Sequence, residues 1–485
     1  MNGSPMKTQL GSQFCAAIAV SSIAFAFATT ANAAGTGVDV QASRGTGMAS
    51  SVTGMIDDAS AIYYNAAGIA QGKRVDVLVG DTMIVPKFTY RSPTNGNTAS
   101  TSGVVPPFHA YATAGLTDQL SVGVGVFSPY GLAAIWPSQW EGRSLATRSS
   151  LSTYYINPTV AYRFGPLRIG AGLQVVRATL DLQRSIRFGG QEGSSEFGGG
   201  SWGAGGNIGV QLQVIPQYLA IGVHYRSAVK LNFDGSAHFE NIPLPFVSTI
   251  HDQRVKTSLT QPDTLAIGLA SRPIPQLVVD LDFVWSDWKK VHAIDINFPD
   301  DQSGSLSSTQ AKNWKNTVNV RIGGELSVAD AWRVRAGALY DKSPSPDQTL
   351  TPETPDANRL NLALGGGYVH KSGFRADLGY QFIMLFEKTS TAPQLPGQYS
   401  GFVNLVGISI GYSVPIGKAT NSTPPPASVE PAPVTAAPSA PIVAPAPVET
   451  PPAPMPEPSA APSGSTPPVP EAPGDAPASQ SPAAP

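Results

Sequence analysis

Cysteine is all but missing from this chain: there is one in 485 residues, Cys15. A disulfide framework and a Cys-based zinc site are excluded by that count. Histidine is nearly as scarce, with six residues at positions 109, 224, 238, 251, 292 and 370. No two stand close enough in sequence to suggest a metal pair, so neither metal nor cofactor is expected. Charged residues are only 13 %, about half the usual share of about 25 % in globular domains. The net charge of −2 offers no basic surface for nucleic acid. After residue 33 there is no run of 18 apolar residues, so no transmembrane helix is expected.

What is abundant is glycine, at 49, and proline, at 45, and both are unevenly spread. Residues 421–485 hold 22 of the prolines, five acidic residues and no Lys or Arg. Such a segment cannot bury enough apolar surface to offset its ordering entropy. Residues 417–485 therefore read as a disordered Pro/Ala-rich tail. Its polyproline tendency, at about 3.1 Å per residue, lets it reach a periplasmic or cell-wall partner. At the other end Lys7 precedes an apolar run from Phe14 to Ala28, and Ala31-Asn32-Ala33 is a small-x-small cleavage pattern. Residues 1–33 read as an export signal, with the mature chain beginning at Ala34. Cys15 leaves with it.

Between these ends the dominant signal is alternation. Leu120, Val122, Val124 and Val126 face one way, with Ser121, Gly123 and Gly125 opposite. Val406, Ile408, Ile410 and Tyr412 alternate with Gly407, Ser409 and Gly411. The pattern predicts fourteen strands, over 75–90, 104–115, 120–127, 152–164, 167–187, 202–215, 217–240, 251–272, 275–298, 312–328, 331–342, 357–370, 373–390 and 399–416. The apolar phase slips at Val175-Val176, which reads as a β-bulge. Connections are alternately tight and long; 91–103, 128–151 and 188–201 are among the long ones. Strands of ten or more residues, short turns at one end and long loops at the other suit an outer-membrane barrel better than a soluble sandwich. With an even number of strands both termini lie at the periplasmic end.

Residues 34–74 do not alternate. The run from Asp57 to Ala70 reads as short helical turns, with Asp57 or Asp58 as N-cap and Gly68 as a breaker. A fourteen-stranded barrel has a lumen wider than its own side chains fill, so this segment is expected inside it as a hatch. One catalytic pattern occurs: Gly199-Gly200-Ser201-Trp202-Gly203 fits G-x-S-x-G. It lies in a Gly-rich stretch read as loop, without the strand–turn–helix context that pattern requires, so no enzyme activity is expected.

Asp57-Asp58-Ala59-Ser60 followed by Asn65-Ala66-Ala67-Gly68, then Ser128-Pro129-Tyr130-Gly131, Tyr225-Arg226-Ser227, Trp285-Ser286-Asp287-Trp288 and Pro355-Asp356-Ala357-Asn358-Arg359, occur in that order. In this ordered set the chain resembles the FadL/TodX family of outer-membrane transporters for long-chain fatty acids and other hydrophobic compounds. The resemblance implies an all-β fold: a fourteen-stranded antiparallel transmembrane barrel over 75–416, with the hatch at 34–74 in its lumen. It implies that Asn65, Ala66, Ala67 and Gly68 form the gating hatch motif. Ser128, Pro129, Tyr130 and Gly131 fall on a kink in the third strand that opens the wall sideways, and the hatch motif is expected to touch it. Arg184, and Lys312 or Lys315, fall near positions that hold a ligand carboxylate. Arg321 and Asp377 are expected in an ion-pair network lining the wall. The implied partners are a hydrophobic small molecule, a long-chain fatty acid above all, and outer-membrane lipid, with the protein a monomer. Aromatic hydrocarbons and general diffusion through a porin are the alternatives.

Overall fold

A computed structural model describes residues 36–302 and 304–416. The expected export signal, the start at Ala34 and the tail at 417–485 lie outside the described residues.

Alternation along each strand decides the architecture. On the last strand Leu405 and Ser409 are buried, while Val406, Ile408, Ile410 and Tyr412 are exposed. A sheet that is apolar outside and largely polar inside has one stable form in lipid: closed on itself, with every backbone group paired. The described residues form a closed antiparallel barrel of 14 staves. These are β1 (Arg74–Arg91), β2 (His109–Gly115), β3 (Leu120–Phe127, resuming as Gly131–Ile135) and β4 (Arg148–Phe164). Next come β5 (Leu167–Phe188), β6 (Gln191–Ile215) and β7 (Leu219–Arg226, resuming as Val229–Glu240). β8 is Gln253–Gln261 with Thr264–Ile274, β9 Leu277–Ser286 with Ala293–Asn297, and β10 Ser308–Ala311 with Thr317–Ser327. β11 (Trp332–Asp341), β12 (Arg359–Val369), β13 (Phe374–Ser390) and β14 (Gly397–Pro415) complete the circuit. The seam is β1 against β14, continuous from Arg74↔Pro415 to Arg91↔Gln398. No described helix is long and apolar enough to cross a membrane.

The expected strands are present, with corrections. Those at 217–240, 251–272 and 275–298 are each interrupted, at 227–228, 262–263 and 287–292, and the strand expected from 312 starts at Thr317, after a short segment Ser308–Ala311 in a stretch expected to be loop. Residues 188–201 are not a loop: β5 and β6 meet through a turn at Gly189-Gly190, and β6 runs from Gln191. Gly193, Phe197 and Ser201 are buried on its inner face, but its outer face carries Glu192, Ser194 and Glu196 rather than apolar residues, so the lipid-facing signal is missing there. β4 likewise starts at Arg148 rather than 152. There is no bulge at Val175-Val176; the β4–β5 and β5–β6 registers run through it unshifted. The phase slips because the lumen face itself turns apolar there, with Val176 and Ala178 buried inside and Val175 exposed outside. Finally, β2 begins at His109 rather than 104. Val105 makes only an isolated bridge to Ile84, and Pro106-Pro107 supply no N–H for a ladder.

Residues 36–73 fill the lumen as expected of a hatch. They hold two single-turn helices, α1 (Ser43–Thr46) and α2 (Ala61–Tyr64), and a 3-10 turn at Ala66–Ile69. Met48, Val52, Ile56 and Ile62 are fully buried. Neither Asp57 nor Asp58 caps α2. The N-cap position is Ser60, whose side chain makes no capping bond; Asp58 accepts from the Ser60 N–H and hydroxyl instead. The wall approaches the hatch most closely at glycines. A Cβ on Gly209 would lie 2.2 Å from Asn65 Oδ1, and one on Gly170 2.4 Å from the Ala66 carbonyl carbon.

Candidate functional site

The hatch is held by charge as well as by packing. Arg44 makes a two-pronged contact with Glu325 at 3.0 and 3.1 Å and reaches Asp57 and Asp58. Arg335 joins Glu325 and Asp377, each at 2.7 Å, and Arg375 joins Asp76 at 2.9 Å. Arg321 meets Asp39 of the hatch at 2.8 Å. Arg321 and Asp377 thus stand in the ion-pair network anticipated for them. Asp282 accepts from the Val52 and Thr53 N–H groups and the Thr53 hydroxyl, and Asp280 from the Gly54 N–H. Burial alone would raise the carboxyl of Asp58, yet Arg375 and Arg44 hold it well below the usual carboxylate range.

Asn65 caps the 3-10 turn, accepting from the Ala67 N–H, and its amide donates to the carbonyls of Thr53 and Val210 at 3.0 Å. Asn65, Ala66, Ala67 and Gly68 are all buried. Asn65, Ala66 and Ala67 lie against Gly170 of β5 and Gly209 of β6, and Gly68 against Ile56 and Ala61 of the hatch. None of the four is what occupies the third-strand kink.

That place is taken by residues 36–41. Beyond Phe127, β3 leaves its ladder at Ser128-Pro129-Tyr130 and resumes at Gly131, laddered to β4 on one side and on the other touching only an isolated bridge from Ser102 to Ile135 and the hatch. The Val38 N–H donates to the Pro129 carbonyl at 2.8 Å, and the Gly131 N–H to the Thr36 carbonyl at 2.9 Å. The fully buried Gln41 clamps Ser128, accepting from its N–H and donating to its carbonyl, both at 2.8 Å. The hatch backs the kink through a segment upstream of the expected motif, a pairing across 87 residues that leaves no local sequence signal.

Three cavities meet around this plug. The first, about 240 Å³, lies in the wall gap between Val105–Pro107 and Gly131–Ala133. It runs from inward-facing Ile383, Val403 and Leu405 to Tyr154, which is exposed on the lipid side. The second, about 120 Å³, is lined by Leu180, Leu182, Phe197, Leu259, Ile296 and Trp314, and shares Leu132 and Leu151 with the first. Lys312 and Arg184 line it too. Lys312 is 2 % exposed and donates to the Thr351 hydroxyl at 3.0 Å. Among the described residues no carboxylate pairs with either cation. Lys315 is not brought to this cavity. Lys312 and Trp314 are buried, whereas Asn313 and Lys315 are exposed, and Lys315 lines a separate cleft at the loop end with Lys342 and Lys388. The third cavity, about 70 Å³ and of mixed polar and apolar lining, lies beneath the kink around Arg226, Arg321 and His224.

The G-x-S-x-G run sits within β6 rather than in a loop. Ser201 is buried, and its hydroxyl bonds its own strand at the Trp202 carbonyl. Two Ser–His contacts occur among the described residues. His370 Nδ1 to Ser372 Oγ at 2.9 Å is local to an exposed turn, whereas His109 Nε2 meets Ser409 Oγ at 3.0 Å and Ser409 also holds Ser43 of α1 at 2.8 Å. His109, Ser409 and Ser43 are all buried at the seam between hatch and wall.

Comparison with known proteins agrees with this architecture. The model of the outer membrane protein transport protein family (OMPP1/FadL/TodX) matches residues 24–413. A long-chain fatty acid transport protein of Salmonella typhi is 24 % identical over 393 residues, covering 73 % of this chain and 88 % of the relative. One from Escherichia coli is 25 % identical over 402 residues, covering 73 % and 89 %. The crystal structure of a Pseudomonas aeruginosa FadL homologue superposes with a TM-score of 0.68 at 17 % identity, covering 78 % of this chain and 99 % of the other. That of the Ralstonia pickettii toluene transporter TbuX gives 0.60 at 18 %, covering 76 % and 98 %.

Proposed function

The chain belongs to the outer membrane protein transport family (OMPP1/FadL/TodX), and from that premise we propose that this outer-membrane barrel takes up long-chain fatty acids or closely related hydrophobic carboxylates. The observation that carries the carboxylate reading is Lys312, a buried cation in an apolar cavity, paired only with a hydroxyl. A buried charge without a counter-ion is costly, so an incoming carboxylate is stabilised there. The chain of such a ligand gains about 0.8 kcal/mol for each methylene moved out of water. The shared lining of Leu132 and Leu151 then leads from this cavity to the wall gap. Asn65, Ala66, Ala67 and Gly68 support the hatch in this reading, while Ser128, Pro129, Tyr130 and Gly131 frame the exit. Arg184 stands at the cavity rim as a second head-group contact. Each barrel carries its own cavity and gap, so it acts as a monomer.

Binding of dodecanoate, dodecanol and toluene to the purified protein tests this. Dodecanoate should bind tightest, and Lys312→Met should reduce its affinity to that of dodecanol. Equal affinity for toluene and dodecanoate, unchanged by Lys312→Met, would favour an aromatic-hydrocarbon channel. Rapid swelling of proteoliposomes in sugar solutions would favour a general porin.

A further inference from the structure

Arg226 is the least satisfied cation beneath the kink. It is 4 % exposed, and its Nη2 donates to the Tyr63 carbonyl at 2.8 Å. Its guanidinium lies 4.6 Å from the Tyr63 ring centre and 5.3 Å from that of Phe127. Its Nη1 has no hydrogen-bond partner. A buried guanidinium with a free N–H calls for an acceptor. The third cavity places that guanidinium beside Arg321. This cavity shares Gly37, Asp39, Ser50 and Tyr130 with the wall gap, and Trp288 with the apolar cavity.

Arg321 ties this place to the plug. Its one ion pair among the described residues is with Asp39, at 2.8 Å. Asp39 lies between Val38 and Gln41, which hold Pro129 and Ser128. Tyr63 also donates to Asp39 Oδ1 at 3.3 Å, while the hydroxyls of Ser50 and Tyr64 hold the Asp39 carbonyl. A second carboxylate arriving here would satisfy Arg226 and compete with Asp39 for Arg321.

We propose that Arg226 and Arg321 form a second carboxylate station, distinct from Lys312, and that a ligand head group bound there displaces Asp39 and loosens residues 36–41 from the kink. The proposal rests on the carboxylate reading of the function. It assigns the station a role that apolar surface cannot fill: the charged head, rather than the chain, releases the plug. A neutral alcohol of the same length lacks the trigger.

The test measures binding and plug motion separately, on the full protein in detergent. The probes are dodecanoate and dodecanol, and plug motion is read as backbone hydrogen exchange in 36–41 and 128–131. With wild type at saturation, dodecanoate should speed exchange in both segments roughly tenfold, the signature of a local opening, and dodecanol should leave it unchanged. Arg226→Gln should still bind dodecanoate at the Lys312 cavity but lose the acceleration, and Arg226→Lys should recover part of it. Asp39→Asn should raise exchange in the absence of any ligand, because the ion pair that ties the plug to Arg321 is then lost. Equal acceleration by dodecanol, or full acceleration in folded Arg226→Gln, would overturn the station. So would unaltered exchange in Asp39→Asn. Failure of wild type to bind dodecanoate in preference to dodecanol would instead count against the carboxylate reading of the function.

Discussion

Of the breaks in the barrel wall, the one across β7 and β8 and the one in β3 are mended in opposite ways. At β7 and β8 the ladder stops at Ser227-Ala228 and Pro262-Asp263, and the wall repairs itself. Asp263 accepts from the Tyr225 hydroxyl at 2.6 Å and the Ala228 N–H at 2.9 Å, and it pairs with Lys290. At β3 the break is mended from outside the wall, by Thr36, Val38 and Gln41 of the hatch. Both breaks contain a proline, so both lose a ladder donor for the same reason. What differs is what supplies the missing partners. A staple made by the wall cannot leave without weakening the sheet, whereas one supplied by a separate segment can. In a membrane an unpaired edge is tolerated only where protein or water backs it, which suits the second break to be a gate and the first a fixed seam.

That contrast is broken most directly by filling the gap. A Cβ on Gly131 would meet nothing closer than 3.5 Å, so Gly131→Arg fits locally while its side chain occupies the opening. Uptake of labelled dodecanoate by cells should fall to background while the purified variant binds dodecanoate as wild type does. Normal uptake would remove the lateral exit and favour release straight into the periplasm.

The next effect is on the fixed seam. Asp263→Ala strands a backbone N–H and a tyrosine hydroxyl and leaves Lys290 with Asp287 alone, and should lower barrel stability by about 2–3 kcal/mol. Urea unfolding measures it, and uptake per folded molecule should be unaltered.

The mirror experiment is Gln41→Ala. It removes both hydrogen bonds to Ser128, worth about 1–2 kcal/mol together. The loss should show as faster hydrogen exchange at 128–131, with the urea midpoint of the barrel unmoved. A global loss of stability would make the two breaks equivalent.

The smallest effect is in pH. The carboxyl of Asp58 is held below its ordinary range by Arg375 and Arg44. Its contribution to hatch docking is therefore complete above the unfolded value of about 4 and is lost as pH falls further. Hatch protection measured against pH should decline below that point in wild type, and Asp58→Asn should flatten the decline.

Strand positions were legible in the sequence wherever lipid met one face and the lumen the other, as from Val406 to Tyr412. They were illegible where that contrast fails. From Gln191 to Ser201 the outer face carries Glu192, Ser194 and Glu196 rather than apolar residues, and Val176 turns apolar toward the lumen, imitating a bulge. The site was legible in part. Lys312 and Arg184 do converge on one apolar cavity, but Lys315 does not, because it falls on the opposite side of the chain from Lys312. The kink itself was readable from Ser128-Pro129-Tyr130-Gly131, since proline and glycine act locally on the backbone.

By itself the sequence determined the barrel, its fourteen staves and the place where the third one breaks, because the period of two, the turn residues and proline's missing N–H are local properties of the chain. Only the tertiary structure decided what closes that break. Gln41 and Ser128, 87 residues apart, and Ser43 and Ser409, 366 apart, meet because the sheet curls until β14 finds β1 and leaves a lumen that residues 36–73 must fill. No local pattern encodes that pairing, because it depends on the barrel's closure and on the space closure leaves inside.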